Sequence, residues 1–251
     1  MPESAPGSFF FCSSRLLRAN WMALGAAFFV LFSPALVAHG QAADPQAPPR
    51  FVVVLDAAHG GSDGGARIVN AAGKQIQEKD LTLALSVKLR SLLGARGITV
   101  VTTRESDTEL DPGRRAEIAN HAKAQACLTL HAAMSGSGVH LFISSLPPSW
   151  PAQFMPWKTA QAAFVTRSVS LAGVMNSALL HAGLTVTLGR TALTTVDSMA
   201  CPAIAVEIAP QAAPNHGSSP GAGVDEPSYQ AQVTQALAAA MVAWRAEARQ
   251  P

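Results

Sequence analysis

Four residues far apart in the chain could together carry one chemistry: His59, Glu78, His131 and Glu207. Two histidines and a carboxylate leave the fourth position of a tetrahedral zinc ion open, the ligand pattern of catalytic sites. A second carboxylate that does not bind the metal is what a hydrolytic site needs to move protons between water and a leaving group. Each residue also has an ordinary role. His59 and His131 read equally well as histidines bonded to nearby carbonyls, and Glu78 as an acid favoured in a helix first turn. Glu207 is harder to treat as ordinary, because an ionised carboxylate inside the run AIAVEIA requires a partner or a raised pKa.

The elements that would position these residues follow from pattern. Phe51–Asp56 (FVVVLD) suits a strand buried on both faces of a parallel sheet. It leads through Ala57, Ala58 and His59 into Gly60-Gly61-Ser62-Asp63-Gly64-Gly65, where four glycines in six positions demand a loop. A histidine at the carboxyl end of such a strand sits where open α/β sheets bind ligands. Gln77–Asp80 opens a helix whose Leu81, Leu85, Leu89, Leu92 and Leu93 share one face, with Gly94 and Gly97 ending it. Ile98–Thr103 is a second strand, and Asp111–Lys123 a helix with Pro112 in its first turn. Cys127–Leu130 forms a third strand running into His131, and Gly138–Ser145 a fourth.

Leu146–Trp157 is a proline-rich loop whose Trp150 and Trp157 read either as flanks of a substrate groove or as caps on the core. Thr159–Ala182 is one long helix stopped by Gly183, and no element is assigned from there to Ala200. Pro202–Ile208 is a buried strand carrying Glu207, Asn215–Gly223 a loop, and Tyr229–Ala248 a closing helix. The alternation predicts an α/β fold: a mixed, largely parallel twisted sheet of about six strands flanked by helices, in a single domain over 51–248.

Composition narrows the class. The chain has 251 residues, 49% hydrophobic and 14% charged, enough for one core and hardly for two. A net charge of +2 without a basic run argues against nucleic acid as a partner, and 6% aromatics against base stacking. Arg15 and Arg18 precede the apolar Trp21–Val37, and small residues follow at Ala38, Gly40, Ala42 and Ala43. Residues 1–42 are therefore expected to be a signal peptide, with an uncleaved anchor as the competing reading. Residues 43–50 make a proline-rich linker. Cys127 and Cys201 each lie beside an apolar run and are read as free buried thiols, with pairing left open. His121, His140, His181 and His216 occupy unremarkable positions.

VVVLDAAHGGSDGGA, EKDLTLALSVKL, TLHAA and PAIAVEI, in that order, resemble the zinc-dependent N-acetylmuramoyl-L-alanine amidases that cleave bacterial peptidoglycan. The likeness runs from Phe51 to Trp244. Thr103-Arg104 with Asp107, Arg115, Asn120 and the segment GVHLF add to it. It implies one Zn²⁺ per chain held by His59, Glu78 and His131, with Glu207 as the catalytic glutamate. A zinc-activated water would cleave the amide between N-acetylmuramic acid and L-alanine. Peptidoglycan is the implied partner and the periplasm or exterior the implied location, with no integral membrane role after signal cleavage; an activator protein is left open. Asp56 and Asp63 become candidates for orienting the histidines.

The chain departs from the family at Ala58, where glycine is usual, at Ala133, usually polar, and at Ile208-Ala209-Pro210-Gln211-Ala212. These changes touch the rim of the cleft rather than the ligands. Two alternatives stand beside the amidase: a related zinc peptidase or deacylase acting on another wall amide, and a non-catalytic wall-binding homologue. The retained Glu207 argues against the second.

Overall fold

A computed structural model describes residues 50–70, 72–150, 156–212 and 221–248. The expected signal peptide, nearly all of the linker and His216 lie outside these residues.

The sheet is built on β1 (Val52–Ala57), whose Val53, Val54 and Leu55 are completely buried. The other strands of this sheet are β4 (Thr99–Thr102), β5 (Ala126–Ala132), β6 (Val139–Ser144), β7 (Val186–Thr191) and β8 (Ala203–Ile208). They lie in the order β4-β1-β5-β8-β6-β7, and every neighbouring pair is parallel except β6 with β8. The expected mixed, largely parallel sheet of six strands is therefore the fold.

Side-chain alternation divides the core. One face packs Leu55, Leu128, Leu130 and Val206 against α1 (Glu78–Gly94), α3 (Val165–His181) and α5 (Pro227–Glu247). Leu81, Leu85, Leu89 and Leu93 of α1 are all buried there, as their spacing predicts. The other face packs Val54, Cys127, Ala203 and Ala205 against α2 (Pro112–His121) and the short α4 (Thr194–Asp197). Asp111 starts α2 by accepting a hydrogen bond from the Arg114 N–H at 2.9 Å, and Pro112 occupies the first helical position.

Several elements differ from expectation. Residues Arg67–Val69 (β2) and Gln75–Gln77 (β3) form a separate antiparallel hairpin that delivers the chain into α1. The long helix over 159–182 is a 3-10 stretch, Trp157–Ala163, followed by α3 across a bend of 64°. β7 occupies part of the unassigned region. It is an edge strand with a weak apolar pattern, and its Gly189 lies opposite Phe142, whose ring leaves no space for a Cβ.

Cys127 and Cys201 are bonded as a disulfide, with Cα atoms 6.2 Å apart. The expectation of two free thiols fails because β5 and β8 are neighbours, which brings residues 74 apart in sequence into bonding range. Closing a loop of this length constrains the unfolded chain by about 4 kcal/mol in the chain-entropy model. Replacing both cysteines with alanine should lower urea-unfolding stability by about that amount, and a loss below 1 kcal/mol would count against a structural role.

Candidate active site

His59 is the first residue beyond the end of β1 but one, and its backbone is left-handed with φ +63°. A non-glycine residue there costs about 1–2 kcal/mol, so neighbouring groups must hold it. Two buried arginines do so. Arg115 donates to the His59 carbonyl at 2.7 Å, to the Ala57 carbonyl at 2.7 Å and to Asp56 Oδ1 at 2.7 Å. Arg104 donates to the carbonyls of Ala57, Ala58 and Lys79 at 2.9, 3.0 and 2.8 Å, joining the loop to the first turn of α1. The two arginines therefore shape the turn that presents His59 and tie it to the helix that presents Glu78.

Asp63 Oδ2 accepts from His59 Nδ1 at 2.8 Å and fixes the ring. Asp56 does not play the orienting part considered for it. It is buried beneath the loop, where Arg115 and Thr103 Oγ1, the latter at 2.6 Å, engage Oδ1. Ala58, where the family pattern has glycine, is buried and does not share the positive φ of His59, so its methyl group introduces no backbone strain.

Glu78 is the first residue of α1 and is buried. Its Oε2 lies 3.1 Å from His59 Nε2 and accepts from the Ala66 N–H at 2.9 Å. Its Oε1 accepts from His131 Nδ1 at 2.9 Å and from the Ala132 N–H at 3.1 Å. Burial pushes the Glu78 carboxyl up, but bonds from His131, His59 and the Ala66 N–H outweigh it and hold the group well below the usual carboxylate range. Glu78 in turn raises the His59 pKa above its ordinary value; burial opposes the shift and Asp63 assists it.

His131 lies inside β5 rather than after it, as the sixth of seven residues. The imidazoles of His59 and His131 meet edge to face with centroids 5.5 Å apart. One ligand atom from each of His59, Glu78 and His131 lies within 4.8 Å of the other two. Asp63 engages Nδ1 of His59, so Nε2 is the ring nitrogen that faces Glu78. Two imidazole nitrogens and an ionised carboxylate converging in this way suit zinc in both donor type and number.

Glu207 stands in register with His131 on the adjacent strand β8, so the two side chains leave the same face of the sheet. Its side chain is 33% exposed rather than sealed in the core, and its partner is His140, whose Nδ1 lies 3.0 Å from Glu207 Oε1. His140 is the site residue that sequence patterning missed. No local signal marks it, since its role depends on β6 running beside β8.

The glycine loop closes around the cluster. Lys79 Nζ donates to the Gly61 carbonyl and to Asp107 at 2.7 Å each, while Asp107 accepts the Gly61 N–H at 2.7 Å. A Cβ on Gly65 would stand 2.6 Å from His59 Cδ2 and 2.7 Å from Glu78 Oε2. Trp150 and Trp157 are 91% and 58% exposed, so neither caps the core. Because β6 runs antiparallel to β8, the chain leaves β6 toward Trp150 at the sheet end away from Glu207.

The chain matches the Amidase_3 family, N-acetylmuramoyl-L-alanine amidase, over residues 53–243. It is 34% identical over 94 residues to the germination-specific N-acetylmuramoyl-L-alanine amidase of Bacillus subtilis, covering 32% of this chain and 38% of that protein. It is 40% identical over 81 residues to the amidase AmiA of Escherichia coli, covering 32% of this chain and 27% of that protein. The matched stretches thus span well under half the length of either relative. Among solved structures, the catalytic domain of CwlV, an N-acetylmuramoyl-L-alanine amidase from Bacillus (Paenibacillus) polymyxa, superimposes with a TM-score of 0.58 at 25% identity. That alignment covers 78% of this chain and 98% of the CwlV domain. With a family match that takes in both histidines and both glutamates, the chain belongs to the Amidase_3 family of N-acetylmuramoyl-L-alanine amidases.

Proposed function

We propose that this protein is an exported zinc-dependent peptidoglycan amidase that cleaves the bond between N-acetylmuramic acid and L-alanine. The observation that carries this is the convergence of His59, Glu78 and His131, with Glu207 in register beside His131. His59, Glu78 and His131 would hold the ion, whose binding displaces the protons shared between the imidazoles and the Glu78 carboxylate. When bound, zinc supplies Lewis acidity that polarises the scissile carbonyl and makes water a better nucleophile. Glu207 takes the proton from the attacking water and returns it to the nitrogen of the departing L-alanine amine. Asp63 keeps the His59 tautomer that leaves Nε2 free. The Gly60–Gly65 loop keeps side chains away from a bulky glycopeptide.

Export is supported by the amino-terminal signal pattern and by the buried disulfide, which belongs to an oxidising compartment. Family membership supports peptidoglycan as the substrate, and Glu207 beside the cluster favours hydrolysis over silent wall binding. The purified mature protein should carry about one zinc per chain. Mass spectrometry of digested peptidoglycan should find glycan strands without stems and free peptides that begin with L-alanine. Products cut within the peptide would replace this proposal with a peptidase, and intact peptidoglycan with zinc present would replace it with a binder.

A further inference from the structure

Beyond the residues assigned above, and resting on the role proposed for Glu207, we infer that His140 is a positioning residue that aligns the Glu207 carboxylate for proton transfer. The antiparallel course of β6 puts His140 directly opposite Glu207 in the sheet register. His140 Nδ1 donates to Glu207 Oε1 at 3.0 Å, and among the described residues this is the carboxylate's sole hydrogen bond. Glu78, by contrast, has protein partners on both oxygens. A glutamate with three rotatable bonds and partial exposure has freedom that one anchor removes, while among the described residues Oε2 has no protein partner.

The imidazole is itself held in a slot. Phe142 meets it edge to face with centroids 6.2 Å apart at 89°. On another side lies Gly136, with φ +93°, where an added Cβ would stand 2.8 Å from His140 Nε2 and still closer to Cε1. The loop before β6 therefore carries glycine where the ring of this particular residue fills the space. The slot and the hydrogen bond are separate observations that point to one task, holding Nδ1 against Glu207. Misalignment of a catalytic group by about 1 Å costs on the order of 100-fold in rate, which sets the scale of the effect.

His140→Leu should lower kcat for stem-peptide release by about 10- to 100-fold, with KM within twofold of the parent and zinc content unchanged. His140→Asn should restore most of the loss, because its amide nitrogen can donate from the place of Nδ1. Gly136→Ala gives an independent route in case the leucine variant folds poorly. It should lower kcat in the parent by pressing on the ring, and cost clearly less in the His140→Asn background, where the side chain is shorter. Backbone strain at residue 136 is present in both backgrounds and cancels from that comparison. A leucine variant with parental kcat, or equal leucine and asparagine variants together with additive Gly136→Ala, would overturn the positioning role and leave the amidase assignment standing. A zinc-loaded parent that releases no stem peptide would overturn the assignment and the positioning role with it.

Discussion

Glu207→Gln should lower kcat on peptidoglycan by about 100- to 10,000-fold, the usual range for losing a general base, while zinc is bound as in the parent. The amide has nearly the shape of the carboxylate and can still accept the bond from His140 through its oxygen. It cannot take a proton from water. Glu207 stands outside the three-residue ligand group, so stoichiometry and affinity for the metal should not move. The loss should appear in kcat with little change in KM, the signature of an interaction needed in the transition state. Metal analysis and steady-state release of stem peptides check both halves. A variant within threefold of the parent would remove Glu207 from the mechanism, and one that loses zinc would make it a ligand.

His59→Ala should abolish the zinc-dependent gain in thermal stability. For the parent, zinc at a hundred times its dissociation constant should contribute about 2.7 kcal/mol. At roughly 2–4 °C per kcal/mol for a domain of this size, that is a rise in Tm of about 5–10 °C. The alanine variant retains Glu78 and His131 but has lost one of three donors, and its melting should respond little to added zinc. Gly65→Ala provides a sharper test, because residue 65 donates nothing to the metal. Its φ of +65° strains any side chain, and the new methyl group would run into His59 and Glu78 together. Zinc binding should weaken by roughly tenfold or more, the scale on which disturbed ligand support costs metal affinity, because the methyl group displaces two of the three ligands; the left-handed strain is the same with and without the ion and lowers folding stability instead. Calorimetric titration of the apo proteins reads this directly, and parental affinity in Gly65→Ala would show that the loop yields without disturbing the ligands.

The parts of the site legible in sequence were those with strong local patterns. A doubly buried strand and a glycine run announce His59, and the leucine spacing of α1 sets Glu78 at its start. The motifs around His131 and Glu207 added the other two. What escaped depended on which strands become neighbours and which way they run. His59, His131 and Glu207 stand at or near the carboxyl ends of strands, whereas His140 is the second residue of β6. It reaches the site because that strand is reversed relative to β8. Strand direction has no local signature in six residues. The Cys127–Cys201 bond escaped for a related reason, since it follows from the adjacency of β5 and β8. β7 was missed because an edge strand needs apolar contact on fewer sides and carries a correspondingly faint pattern. The two arginines stand within the motif segments, but their task of binding loop carbonyls becomes visible only in three dimensions.

The left-handed backbone at His59 limits how this centre can change over evolutionary or laboratory time. Histidine, aspartate and asparagine tolerate that conformation better than other side chains, and β-branched residues are the worst suited. Cysteine and glutamate, the other common donors to zinc, have no such tolerance, so introducing either at position 59 would carry the strain without relief. An adaptive path toward a harder, oxygen-preferring ion would thus begin with aspartate at position 59, or with a change at His131, whose place in an ordinary strand imposes no such filter. One backbone angle makes the two histidines, equivalent in chemistry, unequal in how freely they can be exchanged.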